Sequence, residues 1–152
     1  MSGNLDERGV TLVETAFVLP VVILFAFALI DFGLWAFATT QAASAARDGA
    51  RVAILDYPQA DVAGSVDNVG VRTGALRHVD VPAATVSVRC EHEDGSEVTC
   101  ASAAAGVDRV RVSVSWDRSF LTFVGAAFGG RTARVSAASA MVINGRPLPA
   151  AG

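Results

Sequence analysis

Few residues in this chain of 152 have the types and spacing that chemistry needs. Cys90 and Cys100 flank an acidic stretch, Glu91-His92-Glu93-Asp94-Gly95-Ser96-Glu97-Val98-Thr99. Two thiols so placed can close a disulfide across a turn, or join His92 and its neighbouring acids as metal ligands. The paired-ligand spacing of known zinc sites is missing, so no metal site is expected and the acids read as a solvated tip. His78 has no carboxylate and nucleophile at defined positions beside it. No GxxxxGK phosphate loop, dinucleotide fingerprint or G-x-S-x-G elbow occurs. The expectation is a protein with no catalytic residues and no cofactor, not an enzyme. Two further acids stand out by position, because Glu14 and Asp31 are the only charges between Val10 and Ala46.

Those two acids lie in an apolar helix. Thr15 to Ile30 is uncharged, and at about 1.5 Å per residue it spans about 24 Å, slightly short of a hydrocarbon core of about 30 Å. Continuing past Asp31 to Phe37 completes the crossing and brings in Trp35 as an interfacial anchor. Asp31 then falls near the far interface, where an acid costs much less than at the midplane. The helix continues beyond the membrane: Thr39 to Leu55 lacks Pro and is rich in Ala, the best helix former. Ala43, Ala46, Ala50 and Ala53 form a small-residue stripe on one face, with Arg47, Asp48 and Arg51 off it. Tyr57-Pro58 is the expected stop. A plain anchor needs only the first half of such a helix, so the second half is expected in a protein interface.

Composition agrees with membrane association. Hydrophobic residues make up 52% of the chain and charged ones 18%, with a mean hydropathy of +0.45. That is too apolar for a disordered chain. The net charge of −3 argues against a nucleic-acid surface. The length allows one ordinary domain plus an appendage.

The helix start carries the most specific pattern: Arg8-Gly9-Val10-Thr11-Leu12-Val13-Glu14-Thr15-Ala16-Phe17-Val18-Leu19-Pro20. A short hydrophilic leader ends in Gly9, the apolar run begins at once, and one acid follows five residues on. This resembles the class III signal of type IV pilins and pseudopilins, cut after the glycine by a membrane aspartic peptidase. The resemblance implies a leader of residues 1–9, a mature start at Val10 and an exported C-terminal domain. Cleavage would create a positive α-amine at Val10 that needs a partner inside an apolar bundle. Glu14 of an adjacent subunit can supply it and set axial register, a better use of a buried pair than stability. Glu14 alone would read as a first-turn acid complementing the helix dipole.

Three further segments narrow the resemblance. Arg8-Gly9 through Glu14, then Ile30-Asp31-Phe32-Gly33, then Ala45-Ala46-Arg47-Asp48-Gly49-Ala50-Arg51 are similar to the TadE family of the tight-adherence (Tad, Flp) pilus systems. The likeness is close over about residues 8 to 55. Thr15 departs from the Phe or Tyr usual after the early acid. The major Flp pilins are little more than the helix, so a chain of this length fits a minor pseudopilin. The resemblance implies a role in assembling or priming an adhesion pilus. Its implied partners are a prepilin peptidase, a TadF-like pseudopilin and other pilus subunits, the inner-membrane assembly platform and membrane lipid, with no nucleic acid. The implied location is the bacterial cytoplasmic membrane, crossed once, with the C-terminal domain outside. Asp31, Ala43, Ala46, Ala50 and Ala53 are the expected helix-interface residues.

The expected fold is α+β, with a leader of 1–9, a long helix over 10–56 and an exported domain over 57–152. From Asp61 to His78, Val62, Val66, Val69 and Leu76 fall at helical spacing, interrupted by Gly64, Gly70 and Gly74. Period-two patterns then follow. Val86, Val88 and Cys90 form the first, and Val110, Val112, Val114 and Trp116 the clearest. Ala133, Val135 and Ala137, continuing to Met141 and Ile143, form the last. An antiparallel sheet of three or four strands is expected, and Leu148–Gly152 reads as a loose tail. In an exported domain the Cys90–Cys100 pair is expected as a disulfide. The apolar stretch Phe120–Gly130 fits either a core-covering loop or short helix, or an exposed patch meeting a partner pseudopilin or the membrane face.

Two other functions fit the same residues. An uncleaved, membrane-anchored envelope or secretion-complex component would use the Ala stripe as a helix–helix interface. A secreted binding module would lose its N-terminus at Ala26-Phe27-Ala28. Against that, Asp6 and Glu7 offset Arg8 in the leader, Glu14 intrudes on the apolar run and Pro20 interrupts it.

Overall fold

One helix, α1 (Asn4–Ala53), accounts for a third of the protein. The computed structural model describes residues 4–55, 58, 60–62, 66–77, 79, 81 and 83–143, without the side chains of 4–10, 66, 67, 126, 128 and 129. At about 1.5 Å per residue α1 is about 75 Å long. It begins six residues before the expected start at Val10, so the Gly9–Val10 peptide lies inside helix. Leu5, Glu7 and Arg8 are all good helix formers, and one Gly costs a helix only about 1 kcal/mol. Hydroxyls on α1 bond back to its own carbonyls: Thr15 to Thr11 at 2.8 Å, Thr39 to Ala36 and Thr40 to Phe37 both at 2.7 Å. Each leaves no unmet polar group on an apolar helix. The expected stop at Tyr57 and the tail Leu148–Gly152 lie outside the described residues. The helix itself ends at Ala53 in a turn closed by Leu55 N–H on the Val52 carbonyl.

After α1 come α2 (Val66–Leu76), β1 (Thr85–Glu91), β2 (Glu97–Val98), a 3₁₀ turn (Cys100–Ser102), β3 (Arg109–Ser119), α3 (Phe123–Gly129) and β4 (Thr132–Val142). The fold is α+β. Its sheet has the order β2-β1-β3-β4. β1 and β3 pair antiparallel with Val86 opposite Val114, Val88 opposite Val112 and Cys90 opposite Val110. Their alternation of buried and exposed residues is that of a sheet with one covered face. β4 follows the same period, with Val135 buried and Ala133, Ala137 and Met141 half-buried.

The chain divides into two compact units. One comprises Met1–Trp35 and Ser119–Ala133, thus the first part of α1 and the excursion carrying α3. The other comprises Ala36–Arg118 and Arg134–Gly152. Its core joins Ala42, Ala46, Ala50 and Ala53 of α1 to Val71 and Ala75 of α2 and to Val88, Val110, Val112 and Val114 of the sheet.

The second helix exists, but its buried face is not the one the valine spacing suggests. Val69 of α2 and Val62 before it are exposed, while Val71 and Ala75 are buried and Leu76 packs half-buried against the core. Close approach decides the rotation. A Cβ placed on Gly49 would lie 2.9 Å from Ala75 Cβ and 3.0 Å from Val112 Cγ1, and one on Gly74 would lie 2.7 Å from Val52 Cγ2. The two glycines let the helices touch, and a side chain in place of either would hold them apart. The side chain of Val66 and residue Gly64 lie outside the described residues.

Candidate functional site

The first half of α1 is apolar on its outside. Every residue from Thr11 to Ala26 is exposed, including Leu12 at 71% and Phe17 at 76%. In water such a surface would be strongly unfavourable. A helix long and apolar enough to cross a membrane lies within Thr11–Ala53, and lipid is the solvent that suits this surface. Glu14 lies on it, exposed, and no ion pair to Glu14 forms among the described residues. The backbone of Gly9 and Val10 is helical, and their side-chain environment lies outside the described residues.

Asp31 differs from Glu14, being only 4% exposed. Its carboxylate accepts the N–H of Leu121 at 2.9 Å, that of Thr122 at 3.3 Å and that of Gly125 at 3.2 Å. The Thr122 hydroxyl donates to Oδ2 as well. Asp31 thus caps the turn that starts α3, supplying the acceptor that the first amides of a helix lack. Gly125 is required here, because an added Cβ would meet Asp31 Oδ2 at 2.5 Å and Phe120 at 2.6 Å. Nearby, Phe27 meets Phe123 edge-on with centroids 6.1 Å apart. Phe120–Gly130 therefore contains a short helix whose start is fastened to α1. The sequence singled out Asp31 but neither Thr122 nor Gly125. The available signal was the lone acid itself, since a buried carboxylate needs donors.

The small-residue stripe is used within the chain. Ala46, Ala50 and Ala53 are fully buried, with Ala38, Ala42, Ala45 and Gly49 beside them, whereas Ala43 sits half-buried at the edge. α2 and β3 are the elements closest to Gly49 on this face. Arg47 and Arg51 are exposed, and Arg51 lies 3.7 Å from Asp48 one turn back, a contact of small energetic consequence at a surface.

Cys90 and Cys100 are joined in a disulfide and both are fully buried. The intervening residues turn at Gly95, with φ +86°, and Asp94 Oδ1 accepts the backbone N–H of Ser96 at 2.9 Å and its hydroxyl at 2.6 Å. These two bonds, the hydroxyl first, hold the Asp94 carboxyl below its ordinary pKa. His92 Nδ1 lies 2.6 Å from Asp108 Oδ1, and Asp108 Oδ2 accepts the Ala104 N–H at 2.6 Å. Asp108 is 1% exposed, and the Ala104 bond, followed by His92, lowers its pKa. Among the described residues no three His, Cys, Asp or Glu side chains converge as metal ligands. His78 lies outside the described residues. Asp108 escaped the sequence reading, because an acid just before a strand looks like any turn residue.

No curated protein and no solved structure matches the chain. A family model does match part of it. Residues 9–51, from the glycine before the apolar run to the arginine closing the alanine-rich half of α1, match the family of TadE-like proteins.

Proposed function

We propose that this protein is a minor pseudopilin of a Tad-type adhesion pilus. It enters the membrane as a single-pass protein, loses residues 1–9 to a prepilin peptidase and takes part in assembling or priming the pilus with a TadF-like partner. The C-terminal domain faces outward, and the assembly platform in the inner membrane receives the helix. The observation that carries this reading is the family match over residues 9–51, whose span contains Gly9, Val10 and Glu14 at the pilin offset.

The physics supports the same assignment. Glu14 is a charge exposed on an apolar surface with no ion pair among the described residues. In lipid such a group requires a partner, and the new α-amine of a neighbouring subunit supplies one of opposite charge. The test is Glu14→Ala, with pilus number counted by electron microscopy and membrane levels of the protein measured in parallel. Unchanged membrane levels with few or no pili are expected. Wild-type piliation from the Ala variant would sink the assembly role.

A second reading is an uncleaved membrane-anchored component of the envelope. It would keep the helical segment Asn4–Gly9 that processing removes.

A further inference from the structure

The excursion between β3 and β4 has no charge from Ser119 to Gly130, and it shows large apolar side chains to the outside. Leu121 is 74% and Phe123 65% exposed. Three observations say what covers them.

The first is depth. Phe123 rests against Phe27, and Phe27 precedes Trp35 by about 12 Å of helix axis. Trp is the residue that sits at the membrane–water boundary. With Trp35 at that boundary, Phe123 lies at the level of the hydrocarbon.

The second is the backbone. Irregular chain at membrane depth is tolerated only when its polar groups are satisfied within the protein. Here the N–H groups of Leu121, Thr122 and Gly125 and the Thr122 hydroxyl all bond to Asp31. Phe120 N–H bonds to the Arg131 carbonyl at 3.3 Å. Asp31 in turn is covered rather than open to lipid.

The third is continuity. Leu29, Phe32 and Trp35 of α1 are exposed, and a shallow groove joins Phe32 and Trp35 to Phe120 and Val124. The apolar surface of the excursion therefore extends that of the crossing helix. In sequence it is bracketed by Arg118 and Arg131, a residue type whose charged end suits headgroup phosphates and whose stem suits apolar surface.

We propose that residues 120–127 are a membrane-seated wedge, immersed in the leaflet on the domain side of the bilayer, with Asp31 as the internal cap that makes their immersion possible. The proposal rests on α1 crossing the membrane. The occupant of the surface is lipid, because the patch merges with a surface that the crossing helix already presents to lipid.

The test places an environment-sensitive NBD label at Leu121→Cys and at Ala127→Cys in the full chain. The protein is reconstituted in vesicles of phosphatidylcholine and phosphatidylglycerol. The native cysteines are disulfide-bonded, so only the new thiol reacts. Phe17→Cys reports the span and Glu93→Cys the water-exposed tip. Quenching is measured with iodide from water and with nitroxide-bearing lipid from the bilayer. Labels at 121 and 127 are expected to be severalfold less sensitive to iodide than the label at 93, and strongly quenched by nitroxide lipid. Iodide sensitivity at 121 and 127 equal to that at 93, with 17 quenched by lipid, would overturn the wedge and leave the crossing intact. Protection of 121 and 127 from both quenchers would also overturn it, assigning the patch to a protein partner. Iodide quenching at 17 would remove the crossing and the wedge with it.

Discussion

Asp31 Oδ1 accepts the backbone N–H of Leu121 at 2.9 Å, across 90 residues of sequence. This bond and its companions tie a short apolar helix to the middle of α1. An acid in the otherwise apolar run of α1 thereby becomes a structural cap, occupied by donors of its own chain. Glu14, the other acid of the apolar run, is exposed and forms no ion pair among the described residues.

Removing donors or space at the cap should loosen α3 without unfolding the sheet. Thr122→Val deletes the hydroxyl bond, and Gly125→Ala forces a Cβ against Asp31 and Phe120, an overpacking cost of about 1–3 kcal/mol. Amide hydrogen exchange in detergent micelles should quicken at Leu121, Thr122 and Gly125 in both variants. Exchange rates at Val110, Val112 and Val114 should stay as in the wild type.

Gly49 and Gly33 should respond oppositely to the same change. At Gly49 a Cβ meets Ala75 and Val112, whereas at Gly33 nothing lies within 4 Å. Gly49→Ala should cost about 1–3 kcal/mol by overpacking. Gly33→Ala should be neutral or add up to about 1 kcal/mol through helix propensity. Denaturant unfolding of the full chain in micelles, followed by circular dichroism, separates the two.

The disulfide closes a loop with a sequence separation of 10. The chain-entropy relation gives about 2.7 kcal/mol for a loop of that size. The double variant Cys90→Ser/Cys100→Ser should lose about that much stability, and dithiothreitol should destabilise the wild type but not the variant.

Asp108 should make the domain acid-sensitive. Its carboxyl is held below the ordinary value of 3.8 by the Ala104 N–H and His92. Above 3.8 the group is ionised folded and unfolded, and its full contribution is present. As pH falls below that value, the unfolded chain takes up the proton first, and stability is lost through the folded pKa. Thermal melts from pH 6 down to about pH 2.5 should show a steeper fall for the wild type than for Asp108→Asn.

The long-range pattern of the fold was open to reading, and its pairings were not. A charge-poor run of this length allows few structures besides a helix, and period-two valines at 110, 112 and 114 allow few besides a strand. Cys90 and Cys100 around a Gly turn brought their own geometry. The face of α2 was hidden because contact there is made by Gly74 and Ala75, which carry no hydrophobic signal. β2 has two residues, too few for any period to show. Asp31 was visible as an anomaly, but its partners lie 90 or more residues away. Such a partnership is fixed by tertiary packing, which local residue types do not encode.

The proposed pseudopilin is processed after Gly9, and that step can be read directly. The most direct measurement is the N-terminus of the protein from native cells, by mass spectrometry, with and without the prepilin peptidase. A start at Val10 that disappears in the peptidase-null strain is expected. An intact N-terminus in both strains would contradict it and leave α1 as the anchor of an uncleaved envelope component.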